Sequence, residues 1–271
     1  MCLGTDIAYL SYMKMKNIEN GCGCRLEKKP LVGMKETLEN GGRVTLLIRH
    51  AERPPLDPAD RTYGARLSIT ERGWSTAREL GWLLAHAVRP RSVAFHASST
   101  LRTIETACAM AGGMDESGAR CVVDNMVHIS EFLGGESPFF GSADERWALI
   151  GEGGYHDRVN EYFSCGQMRG YRPFKGAMGE MESLLAGLPC MEGGLVVAVT
   201  HDINVAAFLA GRGVVPSFAE EPWPGFLDAA VILRHCGGRS EYGVFRWRSV
   251  MLQEATEGQG FYASLSERKT A

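Results

Sequence analysis

The sequence predicts an α/β fold: a three-layer α/β/α sandwich around a mostly parallel central sheet, with a helical and loop cap inserted. Two runs carry that prediction, Val44–Ile48 and Leu195–Val199. Both are rich in Val, Leu and Ile and lack polar alternation, which suits strands buried on both faces of a parallel sheet. The third observation is the strand, helix, strand, helix succession after the first run, which implies right-handed crossover units.

The first strand stops abruptly at Arg49-His50, and Pro54-Pro55 forbid its continuation. In parallel sheets ligands bind where strands end at their carboxyl edge, so Arg49 and His50 fall where chemistry is expected. A polar loop over Leu56–Leu67 follows. Thr70 reads as an N-cap, and Glu71 in the first turn favours the helix dipole. Apolar positions from Ala77 to Val88 then recur at helical spacing until Pro90. Ser92–Ala97 reads as a strand and Thr103–Ala111 as a helix ending before Gly112-Gly113. Arg120–Val123 is expected as a third strand.

Met126–Arg172 is rich in glycine, aromatics and charge, and a helix pair there would cap the active edge. Its aromatics, with Arg158, Arg169 and Arg172, would admit a sugar phosphate, a nucleotide or a phosphopeptide. Phe174–Leu188 returns to helical periodicity. Gly193-Gly194 opens the second buried strand, which stops at His201-Asp202, with a helix over Ile203–Leu209. Ala229–Leu233 and Tyr242–Trp247 are expected to pair antiparallel across Gly237-Gly238. The expected organisation is an N-terminal extension over 1–40 with a short helix near Gly33–Glu39, a main domain over 41–250 containing the cap at about 126–172, and a C-terminal tail over 251–271.

Composition bounds the function. The net charge of −3 over 271 residues advertises no basic face, which argues against a nucleic-acid partner. No run approaches the ~18 apolar residues of a membrane helix, and Met1–Lys16 has no secretory pattern. The eight cysteines are scattered, so reduced thiols in a cytoplasmic protein are expected. The one close pair, Cys22 and Cys24, has no matching second pair to complete a metal site. His86, His96, His128, His156 and His235 are read as structural or exposed. The sequence carries no signal for oligomeric state.

Three strand ends carry polar residues: Arg49, His50 and Arg53; Arg102; and His201 with Asp202. Arginine forks match phosphate oxygens two at a time and stay charged. A histidine among them can attack phosphorus through an unprotonated ring nitrogen, and a nearby carboxylic acid can protonate the departing oxygen.

Leu47-Ile48-Arg49-His50-Ala51-Glu52-Arg53 resembles the signature of the histidine phosphatase superfamily, whose phosphoglycerate mutase-like fold is the one expected here. Thr70-Glu71-Arg72-Gly73, Ser98-Ser99-Thr100-Leu101-Arg102-Thr103 and Val199-Thr200-His201 resemble its further motifs, over roughly residues 43–250. Ala51 stands where the superfamily has glycine. The resemblance implies a phosphomonoesterase with His50 as nucleophile. Arg49, Arg53, Arg102 and His201 would then bind phosphate, with no metal or cofactor required. For the proton donor it leaves two candidates. The spacing Arg49 to Pro55, the His201-Asp202 pair and Trp223-Pro224-Gly225-Phe226 resemble the acid-phosphatase-like branch, which makes Asp202 the preferred donor. Ile129–Gly134 resembles the mutase-like context and offers Glu131. The expected partner is a small phosphorylated molecule. A mutase of the same superfamily and a non-catalytic phosphate-binding protein are the alternatives.

Overall fold

In a computed structural model of the chain, residues 23–25 and 29–247 are described, apart from 58, 153 and 192. Most of the 1–40 extension, Cys22, the side chain of Cys24 and the tail over 251–271 lie outside the described residues.

The described elements, in chain order, are β1 (Gly23–Arg25), α1 (Pro30–Glu39), β2 (Arg43–Arg49), α2 (Glu71–Ala87), β3 (Ser92–Ala97), α3 (Leu101–Glu116) and β4 (Val122–Ile129). A 3₁₀ turn at Glu131–Leu133 leads to α4 (Ala143–Gly151), α5 (Tyr155–Cys165), α6 (Phe174–Gly187), β5 (Leu195–Thr200), α7 (Asp202–Gly211), β6 (Ala229–Arg234) and β7 (Ser240–Phe245). The seven strands form one sheet in the order β1-β7-β6-β2-β5-β3-β4, and β6 runs against both of its neighbours while every other pairing is parallel.

Each face of the sheet has its own apolar layer. Leu46 and Ile48 of β2 meet Leu80 and Leu84 of α2 and Met110 of α3 on one side. Leu47, with Val196 and Ala198 of β5, meets Met181 and Leu185 of α6 and Phe208 of α7 on the other. Alternate side chains of a strand point to opposite faces, so an unbroken apolar run is what two covered faces demand. The result is the three-layer α/β/α sandwich the sequence predicts. The aromatics Tyr162, Phe163 and Phe174 join the second layer rather than packing apart from it. Among the described residues no helix is long and apolar enough to cross a membrane.

Three elements differ from the sequence reading, the first being β1, an edge strand paired with β7 inside the stretch read as an extension. The third strand spans Val122–Ile129 and so runs into the stretch expected as cap. Asp124 and Asn125 interrupt its apolar pattern, and the pairing with β3 shifts register between Val93 and Phe95, a bulge on an edge strand that hides the period-two signal. Helix α3 also continues through Gly112-Gly113 to Glu116. The glycine is there for packing rather than termination: a Cβ on Gly113 would sit 1.9 Å from the Arg78 carbonyl oxygen, and one on Gly81 2.0 Å from that of Met110. These two glycines let α2 and α3 approach backbone to backbone.

The register sets the site. Ile48 pairs with Val199 and Arg49 with Thr200, while Ala97 pairs with Val199 on the other side of β5. Three chains therefore leave the sheet side by side, at His50, Ser98 and His201. On the far side of β2, Ile48 pairs with Ala229, which brings the 223–228 loop to the same edge.

Candidate active site

His50 and His201 face each other across this edge, ring centroids 5.5 Å apart at an interplanar angle of 69°. His50 is 3% exposed. Its Nδ1 lies 2.8 Å from the Ala51 carbonyl oxygen; a carbonyl only accepts, so Nδ1 carries the proton and Nε2 keeps its lone pair. Burial, then the neighbouring His201 and Arg102, push the His50 pKa well below the ordinary value. The ring is thus neutral, with one nitrogen free to attack.

His201 is the complementary tautomer. Arg102 Nη2 donates to its Nδ1 at 3.3 Å, which leaves Nε2–H to donate to Ser98 Oγ at 3.2 Å. Burial and the Arg102 charge bring its pKa down to about 3.

The three arginines converge on the pair. Arg49 Nη1 donates to the Pro224 carbonyl at 2.6 Å, Nη2 lies 3.3 Å from Asp202 Oδ2, and the guanidinium stacks 4.5 Å over Phe226. Phe226 in turn lies 5.7 Å from the His50 ring. Arg102 Nη1 donates to the Gly64 carbonyl at 2.5 Å. Burial, then Arg53, lowers the Arg102 pKa to about 10, and burial, then Arg49, lowers that of Arg53. Mutual depression of this kind marks cations crowded together. The Nε of each of the three is buried with no partner among the described residues. Against three guanidiniums stands Asp202, and with both imidazoles neutral the pocket is built for an added anion of about two charges.

The two candidate acids are placed differently. Asp202 opens α7, where Oδ1 accepts from Ile203 N at 2.9 Å and Oδ2 faces Arg49. Burial, the largest single influence, pushes its pKa up, but Arg49 together with Trp223, His201 and the Ile203 amide holds it below the ordinary carboxylate value. Glu131 is exposed in the 3₁₀ turn after β4 and accepts from Ser99 Oγ at 2.7 Å. Since Ser98 holds His201, Glu131 sits on the rim of the same loop.

Ala51 fills the expected glycine position without strain, because its φ is not in the left-handed region. It is fully buried and its amide donates to Thr106 Oγ1 at 2.9 Å.

Several contributors were not singled out from sequence. Ser98 lies inside a quoted motif, but its bond to His201 depends on β3 and β5 being neighbours. Asp228, 7% exposed, accepts from Arg246 Nη1, Gly225 N and Trp247 N, and its carbonyl accepts from Arg49 N at 2.9 Å. It fixes the loop that delivers Pro224 and Phe226. Cap residues meet the loops at this edge: Trp147 meets Tyr63 edge-on at 4.9 Å and His156 stacks on Trp223 at 4.5 Å.

Arg158, Arg169 and Arg172 are already engaged, by the Leu149 carbonyl, Glu152 and Glu180 respectively. His96 contacts the Pro189 carbonyl and stacks on His128, which pairs with Asp124. His86 stacks on Trp82 and His235 faces Glu241. The described cysteines are free, and no group of three or more His, Cys, Asp or Glu able to hold a metal occurs among the described residues.

No protein-family model and no curated protein matches the chain. Solved structures do. A phosphoglycerate mutase from Bacillus anthracis is 15% identical, with 75% of this chain and 92% of that one covered at a TM-score of 0.46. A mycobacterial glucosyl-3-phosphoglycerate phosphatase is 17% identical, with 76% and 98% covered at 0.43. A phosphoserine phosphatase from Entamoeba histolytica, solved with 3-phosphoglyceric acid, is 16% identical, with 74% and 94% covered at 0.46. At this distance the substrates of those proteins say nothing of this one.

Proposed function

We propose that this chain is a histidine phosphatase, hydrolysing a small phosphomonoester through a phosphohistidine on His50 without a metal. The observation that carries this reading is the pairing of His50 and His201, both neutral, inside a ring of Arg49, Arg53 and Arg102. A site that only bound phosphate would need the arginines but not a buried imidazole with its lone pair freed by the Ala51 carbonyl.

His50 Nε2 attacks phosphorus and the bond to the ester oxygen breaks. The positive charge that develops on the ring is shared with the Ala51 carbonyl through Nδ1–H. The guanidiniums, and the His201 Nε2–H as it exchanges Ser98 Oγ for a phosphoryl oxygen, stabilise the equatorial oxygens, a task of positioning and electrostatics. The departing oxygen takes a proton from a carboxylic acid. Water then attacks the phosphohistidine and gives its proton back to that carboxylate, which releases phosphate and neutral His50.

Asp202 is the preferred acid, in keeping with the acid-phosphatase-like motifs. In the free pocket Arg49 and its neighbours together keep it ionised, but a bound phosphoryl dianion beside it raises its pKa by like-charge repulsion. Glu131 is the second candidate. A phosphomutase would share the first half-reaction and differ in passing the phosphoryl group to a second substrate.

The test is a broad phosphosubstrate screen with chelator present, using His50→Ala as control. Activity that survives chelation and vanishes in the variant supports the proposal. Stimulation only by a bisphosphorylated primer would favour the mutase.

A further inference from the structure

The loop from Trp223 to Asp228 carries two bulky apolar residues in succession, and they go to different places. Leu227 is 1% exposed and belongs to the apolar layer that β2 shares with α2 and α3. Phe226 is half-buried and belongs to neither apolar layer. Among the described residues its ring meets Arg49, whose guanidinium carbon lies 4.5 Å from the ring centroid, and His50, at 5.7 Å between centroids. A ring that leaves the core to stand against two residues of the phosphate site has a task other than filling the core.

The backbone is bent to put it there. Leu227 has φ +62°, a left-handed conformation that a bulky residue adopts only at a cost. Three bonds hold the bend. Leu227 N donates to the Arg49 carbonyl at 3.2 Å, Asp228 N to that of Gly225 at 3.2 Å, and Gly225 N to Asp228 Oδ2 at 2.9 Å. Backbone strain that is held in place like this clusters at functional sites. Here it sends Leu227 into the core and leaves Phe226 facing Arg49.

The Arg49 contacts show what the ring adds. The guanidinium is held at its tips, by the Pro224 carbonyl at 2.6 Å and by Asp202 Oδ2 at 3.3 Å. Two contacts at the tips leave the plane free to tilt about the line that joins them. The negative face of an aromatic ring attracts a cation lying over it, most strongly where water is excluded, and so fixes the tilt. We infer that Phe226 is a positioning residue for phosphate capture, its ring quadrupole rather than its bulk holding Arg49 flat with the unused N–H groups toward the phosphoryl oxygens. The inference rests on the phosphatase reading above and adds to it a residue that acts through Arg49. Leucine in its place would fill much of the space but offer no negative face.

The experiment replaces Phe226 alone with mono-, di- and trifluorophenylalanine in turn, and compares these proteins with wild type and Phe226→Leu. Fluorine withdraws charge from the ring face stepwise while nearly keeping the ring's shape. The readouts are kcat/KM for p-nitrophenyl phosphate, the dissociation constant of orthovanadate, and the thermal midpoint. Both kcat/KM and vanadate affinity are expected to fall in even steps along the series, reaching about tenfold at the trifluoro ring and a similar loss in Phe226→Leu. The midpoint of the fluorinated proteins is expected to stay at the wild-type value, because shape and burial are kept. A flat series overturns the inference, and an impaired Phe226→Leu beside it would assign the ring to packing. Losses that follow a falling midpoint also overturn it, since the effect would then lie in the fold. A wild type that turns over no phosphoester would remove the phosphatase reading instead. The vanadate constants then still decide: an even fall keeps Phe226 as the positioning residue of an anion site, and a flat series ends the inference.

Discussion

Arg102 donates through Nη2 to Nδ1 of His201 across 3.3 Å, so one bond joins the helix after β3 to the exit of β5 and fixes a tautomer. Without that bond His201 is free to carry its proton on Nδ1 and to present a bare Nε2 to the phosphate. Arg102→Lys should therefore lose more than one phosphate contact, because an ammonium cannot bridge the Gly64 carbonyl, His201 and phosphate at once. The expected loss in kcat/KM is roughly a hundred- to thousandfold, as for removal of a preorganised donor. Steady-state kinetics of a folded Arg102→Lys within tenfold of wild type would count against this role.

The proton donor is separated by leaving group. Asp202→Asn should slow hydrolysis of an alkyl phosphate by two or more orders of magnitude, while p-nitrophenyl phosphate, whose leaving group barely needs a proton, changes far less. If Glu131→Gln shows that pattern and Asp202→Asn does not, the rim carboxylate is the acid.

Acid should unfold the protein early. His50 and His201 both have folded pKa values below the ordinary 6.5, that of His201 about 3. Between those values the unfolded chain binds protons that the folded one refuses. Stability is thus full above pH 6.5 and is lost as pH falls through the window toward 3, by up to about 1.4 kcal/mol per pH unit for each histidine. The depressed Asp202 pKa adds a loss of the same sign at the acid end. Denaturant midpoints measured across pH should show this slope, and a shallower one in His201→Gln.

Gly81→Ala should destabilise the fold although alanine is the better helix former. The added methyl would lie 2.0 Å from the Met110 carbonyl oxygen, and such overpacking costs about 1–3 kcal/mol or more. A denaturation midpoint equal to that of wild type would mean that α2 and α3 separate easily.

The buried strands and the residues at their ends were legible because a parallel sheet writes its core as unbroken apolar runs and places polar groups where those runs stop. Thr70 was legible for a local reason: its side chain accepts from Gly73 N within its own turn. What was not legible depends on neighbours distant in sequence. Gly113 reads as a helix stop until Arg78 is seen against it. The bulged edge strand β4 has one covered side and an interrupted pattern. Ser98 and Gly64 act on His201 and Arg102 through contacts that only the strand order creates, and Asp228 works from beyond β5.

The central claim is that His50 takes up the phosphoryl group. Rapid quenching of the enzyme during turnover of a phosphate-labelled substrate, followed by mass spectrometry of its peptides, tests it most directly. The account predicts an acid-labile, alkali-stable phosphate on the peptide containing His50, absent from His50→Ala. Turnover by wild type with the label on another residue, or with His50→Ala still fully active, would contradict it.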